Sequence, residues 1–294
     1  MNKNEKMVTI PFLTMTFVYL TELYYYLFGY SSGVQFVTSL FSMSILLFIF
    51  TFLIKKTNIP KRAFVIPTLL SLLLLAYELP TILIDDVQYL VTSYSEPEEV
   101  IDETGIFILS INLAQVTNVK NEQEVREMFT YNGVEFFYEI IETTNFKRYT
   151  SKNKEIFRLL GLNRRDFDKM AEYVSTYINT NNPSVVEFLS REDSSGDSAG
   201  LALVLSGMIH QGDIQNNLPI GVTGAITKTG KVQWVGAIKE KIQVANDHGY
   251  AHIIIPHANL AEANEVKEAL GLSIAISGVK NINEAIKLIK NVNK

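Results

Sequence analysis

Three long apolar segments fill most of the first third of this 294-residue chain. They cover residues 10–28, 34–54 and 63–84, and each is near the ~20 residues that a helix needs to cross a bilayer. The first is too long, and too closely followed by the second, to be a cleaved signal peptide. The sequence therefore predicts a region of three transmembrane helices within residues 1–84.

Basic residues around these segments predict how they are oriented. The loop at 29–33 carries no charge, whereas acidic residues follow the third segment. Because basic loops remain in the cytoplasm, three crossings place everything after residue 84 outside it, with the tyrosines at 24–26 in the outer aromatic belt. Two lysines precede the first segment and four basic residues separate the second from the third, namely Lys3, Lys6, Lys55, Lys56, Lys61 and Arg62.

Two glutamates lie in or near the apolar segments, where a carboxylate is by default a candidate functional group. Glu22 is close to the tyrosines, and Glu78 lies just before Pro80. We expect Glu22 at the membrane interface and Glu78 paired within the helix bundle, rather than a transport site.

Composition narrows the possible partners and cofactors. The formal net charge of −5 argues against a nucleic-acid partner, which would need a basic face. The chain has no cysteine, which excludes disulfides and thiolate metal sites. Its four scattered histidines form no HExxH motif, so we predict neither a metal nor another cofactor.

The middle of the chain changes character several times. Residues 85–104 are acidic and predict a linker, and the alternating residues 105–116 predict a strand. Residues 120–183 predict a mostly helical insertion, with one helix beginning near Asn163 and stopped by the polar segment 180–183. The apolar face of that helix consists of Phe167, Met170, Ala171, Val174, Tyr177 and Ile178.

From residue 184 onward, strand and helix patterns alternate. This predicts an α/β (α+β) domain over residues 105–294, in which helices flank a mixed or parallel sheet. We expect strands at 184–189, 252–255 and 273–276, a hairpin from 220–227 and 231–235, and helices at 199–209, 236–248, 258–270 and 281–292.

The segment Gly196-Asp-Ser-Ala-Gly200 fits three serine-hydrolase designs. A trypsin-like enzyme places its base histidine before the serine, but the first histidine here, His210, follows Ser198. An α/β-hydrolase elbow needs a strand directly before the serine, whereas a polar loop at 190–197 precedes this one. Candidate triad partners for an esterase of that kind still follow the serine, at Asp213, Asp247, His248, His252 and His257.

The third design rests on three motifs that together resemble the proteolytic domain of the Lon protease family. They are GDSAG at 196–200, TGAIT at 223–227 and GAIKEK at 236–241. The interval from Ser198 to Lys241 matches the family without gaps. The resemblance covers residue 184 to the C-terminus well and residues 105–116 loosely. It implies a Lon-type fold and a serine endopeptidase.

The resemblance assigns Ser198 as the nucleophile, Lys241 as its base and Thr223 as the residue that orients the lysine amine. A lysine accepts a proton only as the neutral amine, so burial must lower its pKa from about 10.4 toward the working pH. Ser198 lies at the start of a predicted helix, where N–H groups can stabilise an oxyanion. We expect Ala199 and Gly200 to let a substrate backbone approach.

Two residues depart from the commonest form of the family's motifs. Asp197 takes the place of a proline, and Ala225 that of a glutamate. A carboxylate close to Lys241 would favour its charged form, so we expect the Asp197 side chain to point away or to bond within its loop.

Lon proteases proper carry a fused ATPase module. The nearest imitation of a phosphate loop here, residues 224–232, has the wrong spacing and is better explained as a hairpin turn. We therefore expect an ATP-independent, multi-pass enzyme of the cell membrane, with an extracytoplasmic catalytic domain that acts on unfolded or flexible polypeptides. Its partners would be polypeptide substrates and the lipid bilayer, and the resemblance suggests a homo-oligomeric ring. The alternative is a catalytically silent adaptor that binds partners through residues 120–183.

Overall fold

The structure is a computed structural model that describes residues 3–53, 62–162, 164–179, 181–191 and 194–294. Its packing divides the chain into two compact units. Unit 1 comprises residues 1–90, 115–128 and 140–160, and unit 2 comprises residues 91–114, 129–139 and 161–294.

Helices occur along the whole chain and are numbered in chain order. They are α1 (Lys3–Leu27), α2 (Gly33–Leu53), α3 (Arg62–Glu78), α4 (Thr81–Ile84), α5 (Glu122–Met128), α6 (Asn145–Leu159), α7 (Asp166–Val174), α8 (Pro183–Leu189), α9 (Gly200–His210), α10 (Ile238–Asp247), α11 (Leu260–Ala269) and α12 (Ile282–Val292).

The strands begin after the apolar helices and are numbered in the same way. They are β1 (Val87–Ser93), β2 (Ile106–Ile108), β3 (Asn112–Thr117), β4 (Thr130–Tyr131), β5 (Val134–Glu135), β6 (Phe137–Glu142), β7 (Ile220–Val222), β8 (Ala225–Ile226), β9 (Val232–Gln233), β10 (His252–Pro256) and β11 (Ala275–Val279).

Unit 1 contains the apolar helices. Within the described residues, Gly33–Leu53 and Arg62–Ile84 are long and apolar enough to cross a membrane, by length and composition alone. Helix α1 is not among these candidates, because threonines, tyrosines and Glu22 dilute its apolar side chains. Of the three predicted spans, the second and the third are thus supported. Residue 54 and the predicted loop lysines Lys55, Lys56 and Lys61 lie outside the described residues.

A small aromatic core joins α1 to α2. The ring of Tyr26 is fully buried and stacks on Phe36 with 5.3 Å between the ring centroids. Tyr24 and Tyr25 are about half exposed. Tyr26 therefore packs inside the helix bundle and does not belong to the predicted outer aromatic belt.

The main sheet of unit 2 is parallel, with strand order β11-β10-β7-β2. Ile254 in the central strand β10 pairs with Val222 on one side and Ser277 on the other. Because side chains alternate across a strand, Ile254 enters one apolar core while Ile253 and Ile255 enter another. The sheet is therefore buried on both faces by helices, as the alternating pattern predicted.

The clearest error concerns residues 184–189, which form helix α8 and not a strand. The side chain of Asn182 accepts hydrogen bonds from the N–H groups of Ser184 at 2.9 Å and Val185 at 3.4 Å. Pro183 occupies the first helical turn, where its fixed φ suits a helix and its missing N–H is harmless. The helix-capping residues Asn182 and Pro183 therefore decide the structure of this segment, although its short apolar run suggested a strand.

The middle of the chain also contains more β-structure than predicted. The acidic segment 85–104 includes β1, and the single strand expected at 105–116 is two strands, β2 and β3, in different sheets. The insertion 120–183 holds β4, β5 and β6 beside its helices. The expected apolar face is confirmed at Phe167, Met170 and Val174, which are buried on α7, whereas Ile178 is buried but follows the end of that helix. Asn163 and Thr180, the predicted ends of that helix, lie outside the described residues.

Candidate active site

The candidate nucleophile lies in the turn that leads into α9. Ser198 is partly buried and lines a cavity. Its carbonyl oxygen accepts a hydrogen bond of 2.7 Å from the Gly224 N–H, and the Gly200 N–H donates to the Asp197 carbonyl at 3.1 Å. These bonds attach the serine turn to the segment that carries Thr223.

Gly200 lies in a closely packed position at the start of α9. A Cβ atom at this position would lie 2.9 Å from Ile226 Cγ1 and 3.0 Å from Met170 Cγ. Glycine is therefore needed so that α9 can pack closely against β8 and α7. Ala199 lines the cavity beside Ser198.

The candidate base is buried in the first turn of α10. Lys241 is 3% exposed, and its Nζ donates a 3.1 Å hydrogen bond to Thr223 Oγ1. Thr223 is fully buried, and its hydroxyl lies 3.4 Å from the Ser198 carbonyl oxygen. The structure thus brings together three of the residues that the sequence singled out, with Thr223 between the other two.

Burial lowers the pKa of Lys241 to about 8, although the charges of Asp197 and Glu240 act in the opposite direction. At pH 7 about a tenth of such an amine is neutral, compared with fewer than about one in a thousand for an ordinary lysine. The neighbouring Val235, Ile238 and Ile242 are buried, as expected for an apolar environment. Lys239, two residues earlier, is exposed.

Of the two carboxylates that favour the charged form of Lys241, Asp197 has the larger effect. Burial and the charge of Asp166 raise the pKa of Asp197, while a hydrogen bond to its own backbone and the charge of Lys241 act to lower it. The carboxyl thus bonds within its own loop, yet it still favours the protonated form of Lys241.

The Ser198 hydroxyl makes no hydrogen bond within the described part of the chain, so it is not directly bonded to the Lys241 amine. Catalytic hydrogen bonds are often loose in unliganded sites and tighten when substrate binds. Lys241 is connected to the serine turn through Thr223.

A cavity of about 540 Å³ opens beside the serine, all of it within unit 2. Its lining is mostly polar, with the apolar side chains of Ile108 on β2, Phe167 on α7 and Phe188 on α8 among it. Arg191 and Glu98 form a bidentate ion pair in its lining, with N–O distances of 2.6 and 2.7 Å. This volume accommodates several side chains of an extended peptide.

The sequence did not point to Arg191 or Glu98. They are far apart along the chain, one in the segment predicted as a linker and the other in the polar loop before the serine. Arg191 also lies over the Phe188 ring, with 4.8 Å between Cζ and the ring centroid. Because Phe188 belongs to the segment predicted as a strand, no local pattern linked these three residues.

Two of the three histidines that the α/β-hydrolase alternative offered, His248 and His252, have other partners. His248 contacts Glu96 at 3.0 Å, and His252 contacts Ser277 at 3.0 Å. His210 lies 3.4 Å from the Asn182 amide nitrogen. Residues 194–199 form no strand before the serine. The described residues just before the serine therefore do not form the strand that the elbow of that fold needs.

Comparison with known proteins agrees with this geometry. Residues 192–291 match the family model of the Lon protease (S16) C-terminal proteolytic domain. This part of the chain is a Lon-type proteolytic domain. It contains Ser198, Thr223 and Lys241, whereas α1 to α8 lie outside it.

The relatives are proteins named Lon protease. The one from Elusimicrobium minutum is 33% identical over 95 residues, which is 32% of this chain and 11% of the relative. The one from Flavobacterium johnsoniae is 36% identical over 95 residues, with the same two shares. The archaeal Lon protease of Methanocaldococcus jannaschii is 32% identical over 94 residues, which is 32% of this chain and 14% of the relative. The match thus spans only a small part of each relative.

Proposed function

We propose that this protein is a membrane-anchored serine endopeptidase that hydrolyses peptide bonds with Ser198 and Lys241. The observation that carries the proposal is the Lys241 amine, which is buried, has a pKa lowered to about 8 and is bonded to a neutral hydroxyl beside the serine turn. An amine of this kind can serve as a base near neutral pH.

In the proposed reaction, the neutral Lys241 amine removes the proton from the Ser198 hydroxyl while the serine oxygen attacks the peptide carbonyl. The ammonium then returns the proton to the leaving amine, so that the peptide bond breaks and an acyl-enzyme forms. Lys241 next takes a proton from a water molecule as the water oxygen attacks the acyl carbonyl. The bond between that carbon and the serine oxygen then breaks, the ammonium returns its proton to the serine oxygen, and the acid product leaves. Thr223 acts as a positioning residue because it accepts a hydrogen bond from the lysine.

The start of α9 supplies electrostatic support for this reaction. Ser198 lies two residues before the first residue of that helix, close to the positive end of its dipole. We propose that backbone N–H groups of the serine turn bind the developing oxyanion. Loss of one such donor typically costs about 10²–10³ in rate.

We propose unfolded or flexible polypeptides as substrates, cleaved without ATP. The cavity beside the serine includes Ile108, on the edge strand of the parallel sheet, and combines polar side chains with a few apolar ones, as suits a peptide with mixed side chains. A folded substrate would first have to expose such a segment, and the sequence has no phosphate-binding loop of the required spacing. The family resemblance further suggests a homo-oligomeric ring.

We propose that the chain crosses the cell membrane three times, with the peptidase outside the cytoplasm. Two helical stretches that meet the requirements for a span, and the basic residues that flank the apolar segments, support this topology. Reporter fusions after Lys56 and after Glu99 should report opposite sides of the membrane. The same side for both fusions would refute the three-span arrangement.

The peptidase proposal is tested with the purified full-length chain and fluorescently labelled unfolded casein, without ATP. We expect cleavage by the native protein and none above background by Ser198→Ala. Ser195→Ala is the matched control, because Ser195 lines the same cavity and has no assigned chemical role. Equal rates for the native protein and Ser198→Ala would favour the silent adaptor instead.

A further inference from the structure

The ion pair of Arg191 and Glu98 belongs to the lining of the cavity that Ser198 also lines. The guanidinium donates two hydrogen bonds to the carboxylate, which is the strongest geometry that such a pair can adopt. Both side chains are about one-third exposed, Arg191 at 35% and Glu98 at 37%. The pair is therefore not sealed in the core, and a substrate side chain that enters the cavity can contact it.

Each partner of the pair is also held by contacts of its own. The Glu98 N–H donates to the Ile108 carbonyl at 3.3 Å, and the Ile108 N–H donates to the Glu98 carbonyl at 2.8 Å, which ties Glu98 to the edge strand β2. Arg191 lies over the Phe188 ring, and that ring packs against Phe167 with 6.0 Å between the centroids. Because both partners are fixed in this way, a substrate group cannot displace one of them without breaking other contacts.

Most of the remaining lining is polar but uncharged. The hydroxyl oxygens of Ser95 and Ser110 lie 3.0 Å apart, within hydrogen-bond distance. Among the described residues, the third charged side chain of the lining is Glu96, which is 73% exposed and contacts Tyr94 and His248. Solvent screens so exposed a charge, so Arg191 and Glu98 are the charges of the lining that act most strongly on a substrate. The other polar residues are Asn112, Ser194 and Ser195.

A closed ion pair discriminates against charged substrate side chains of either sign. A lysine side chain that approaches Glu98 also approaches Arg191, and a glutamate side chain that approaches Arg191 also approaches Glu98. Attraction and repulsion then nearly cancel, whereas the incoming charge still loses part of its hydration. An uncharged side chain loses less hydration, and a polar one can bond to the serine hydroxyls. Specificity can thus arise from a penalty against the wrong side chains.

We propose that Arg191 and Glu98 are specificity-determining residues, which make the cavity accept uncharged substrate side chains and reject charged ones. The inference rests on the proposed peptidase function and names its substrate class. Both residues lie outside residues 192–291, which match the family model, so this selection is a property of the present chain. Removing one partner should leave a charged lining that attracts the opposite charge, and removing both should make the lining neutral again.

The test uses the purified full-length chain and a series of peptides. The parent peptide contains a bond that the native protein cuts in unfolded casein, mapped by mass spectrometry. Each residue near that bond is replaced in turn by glutamine, lysine and glutamate, and kcat/KM is measured for every peptide. For the native protein, we expect a position at which lysine and glutamate both lower kcat/KM relative to glutamine.

The variants should change the preference at that position in opposite directions. Arg191→Met should raise kcat/KM for the lysine peptide relative to the glutamine peptide by about two- to fivefold, the size of a partly exposed ion pair. Glu98→Gln should do the same for the glutamate peptide. In the double variant Arg191→Met/Glu98→Gln, both charged peptides should again be poor substrates. Glu96→Gln is the matched control, because it removes a more exposed carboxylate of the same lining and should change the preference less.

The outcomes separate the inference from the peptidase function on which it rests. If active single variants keep the native order of the three peptides, the pair does not set specificity, and the inference fails while the peptidase function stands. An equal loss on all three peptides would mean a structural role alone, and the inference would fail again. A native protein that cuts the charged peptides as fast as the glutamine peptide at every position would also overturn it. If the native protein does not cut casein, the proposed function fails, and the inference with it.

The two single variants are independent tests of the inference. Circular dichroism of each variant shows whether it is folded, and if one of them is not, the other still decides the outcome through the peptide of opposite charge.

Discussion

Among the described residues, two lysines are almost completely buried, one in each unit of the protein, and their partners differ. Lys152 in unit 1 and Lys241 in unit 2 are both 3% exposed, and burial lowers the pKa of each. The carboxylate of Glu78 is bonded to Lys152 and favours its charged form, whereas Lys241 is bonded to the neutral hydroxyl of Thr223. The same side chain thus suits a structural ion pair in one place and a proton acceptor in the other.

The two sites show that burial alone does not turn a lysine into a base. A buried amine beside a carboxylate is held as an ammonium by charge and hydrogen bonding. A buried amine whose hydrogen-bond partner is a hydroxyl lacks this direct ion pair, and burial then lowers its pKa toward neutrality even against more distant carboxylates. Substitutions at both lysines and at their neighbours test this difference, and the largest effect is expected at Lys241.

Lys241→Met should lower peptidase activity on unfolded casein by about 10²–10⁴-fold, because the serine loses its general base. Methionine fills a similar apolar space, so the fold should persist. Lys239→Met on the exposed side of the same helix is the control and should retain native activity. Comparable losses in the two variants would mean that helix α10 as a whole, and not the Lys241 amine, is required.

Lys152→Met should destabilise unit 1 by about 3–5 kcal/mol, because Glu78 would be left as a buried charge without its cation. The expected observation is much faster hydrogen exchange at the amides of α6. The double variant Glu78→Gln/Lys152→Met removes both charges and should recover most of the protection. If the single variant exchanges as slowly as the native chain, the ion pair does not hold α6 in place.

Thr223→Val should reduce kcat by about tenfold to a hundredfold, because the Lys241 amine loses the hydrogen bond that orients it. KM should change little, since Thr223 is fully buried and is not part of the cavity lining. Thr229→Val, in an exposed turn, serves as the control. A rise in KM with unchanged kcat would contradict a positioning role.

The smallest expected effect is on the pH profile. Because only the neutral amine is active, kcat/KM should rise with pH and level off above a midpoint near the Lys241 pKa of about 8. Asp197→Asn removes a negative charge that favours the ammonium, so the midpoint should move to lower pH. Glu240→Gln should move it in the same direction by less, because Asp197 has the larger influence. A midpoint that stays in place in Asp197→Asn would show that another group controls the profile.

The proteolytic domain was more predictable from sequence than unit 1. The strands and helices from residue 199 onward follow clear periodic patterns, and three motifs in order located Ser198, Thr223 and Lys241. The shorter elements were less predictable, because an apolar run as short as residues 184–189 does not distinguish a strand from a buried helix. There the cap formed by Asn182 and Pro183 is the local signal that identifies α8.

Unit 1 shows where local patterns contain too little information. In the sequence of α6, Lys152 does not differ from its neighbours Lys147 and Lys154, yet it alone of the three is buried. Its partner Glu78 is in a different helix far away along the chain, although the expectation that Glu78 pairs inside the bundle agrees with the structure. The packing of α6 decides which of its lysines forms the ion pair with Glu78.

The sequence by itself determined the apolar segments, the alternation of strands and helices near the C-terminus, and the order and spacing of the candidate catalytic residues. These are properties of neighbouring or regularly spaced residues, which local periodicity and motif spacing describe. Only the tertiary structure decided which buried lysine meets a carboxylate and which meets a hydroxyl, and that Arg191 and Glu98 share a cavity wall. Such contacts join residues far apart in the chain, and the resulting burial and charge set the chemistry of each site.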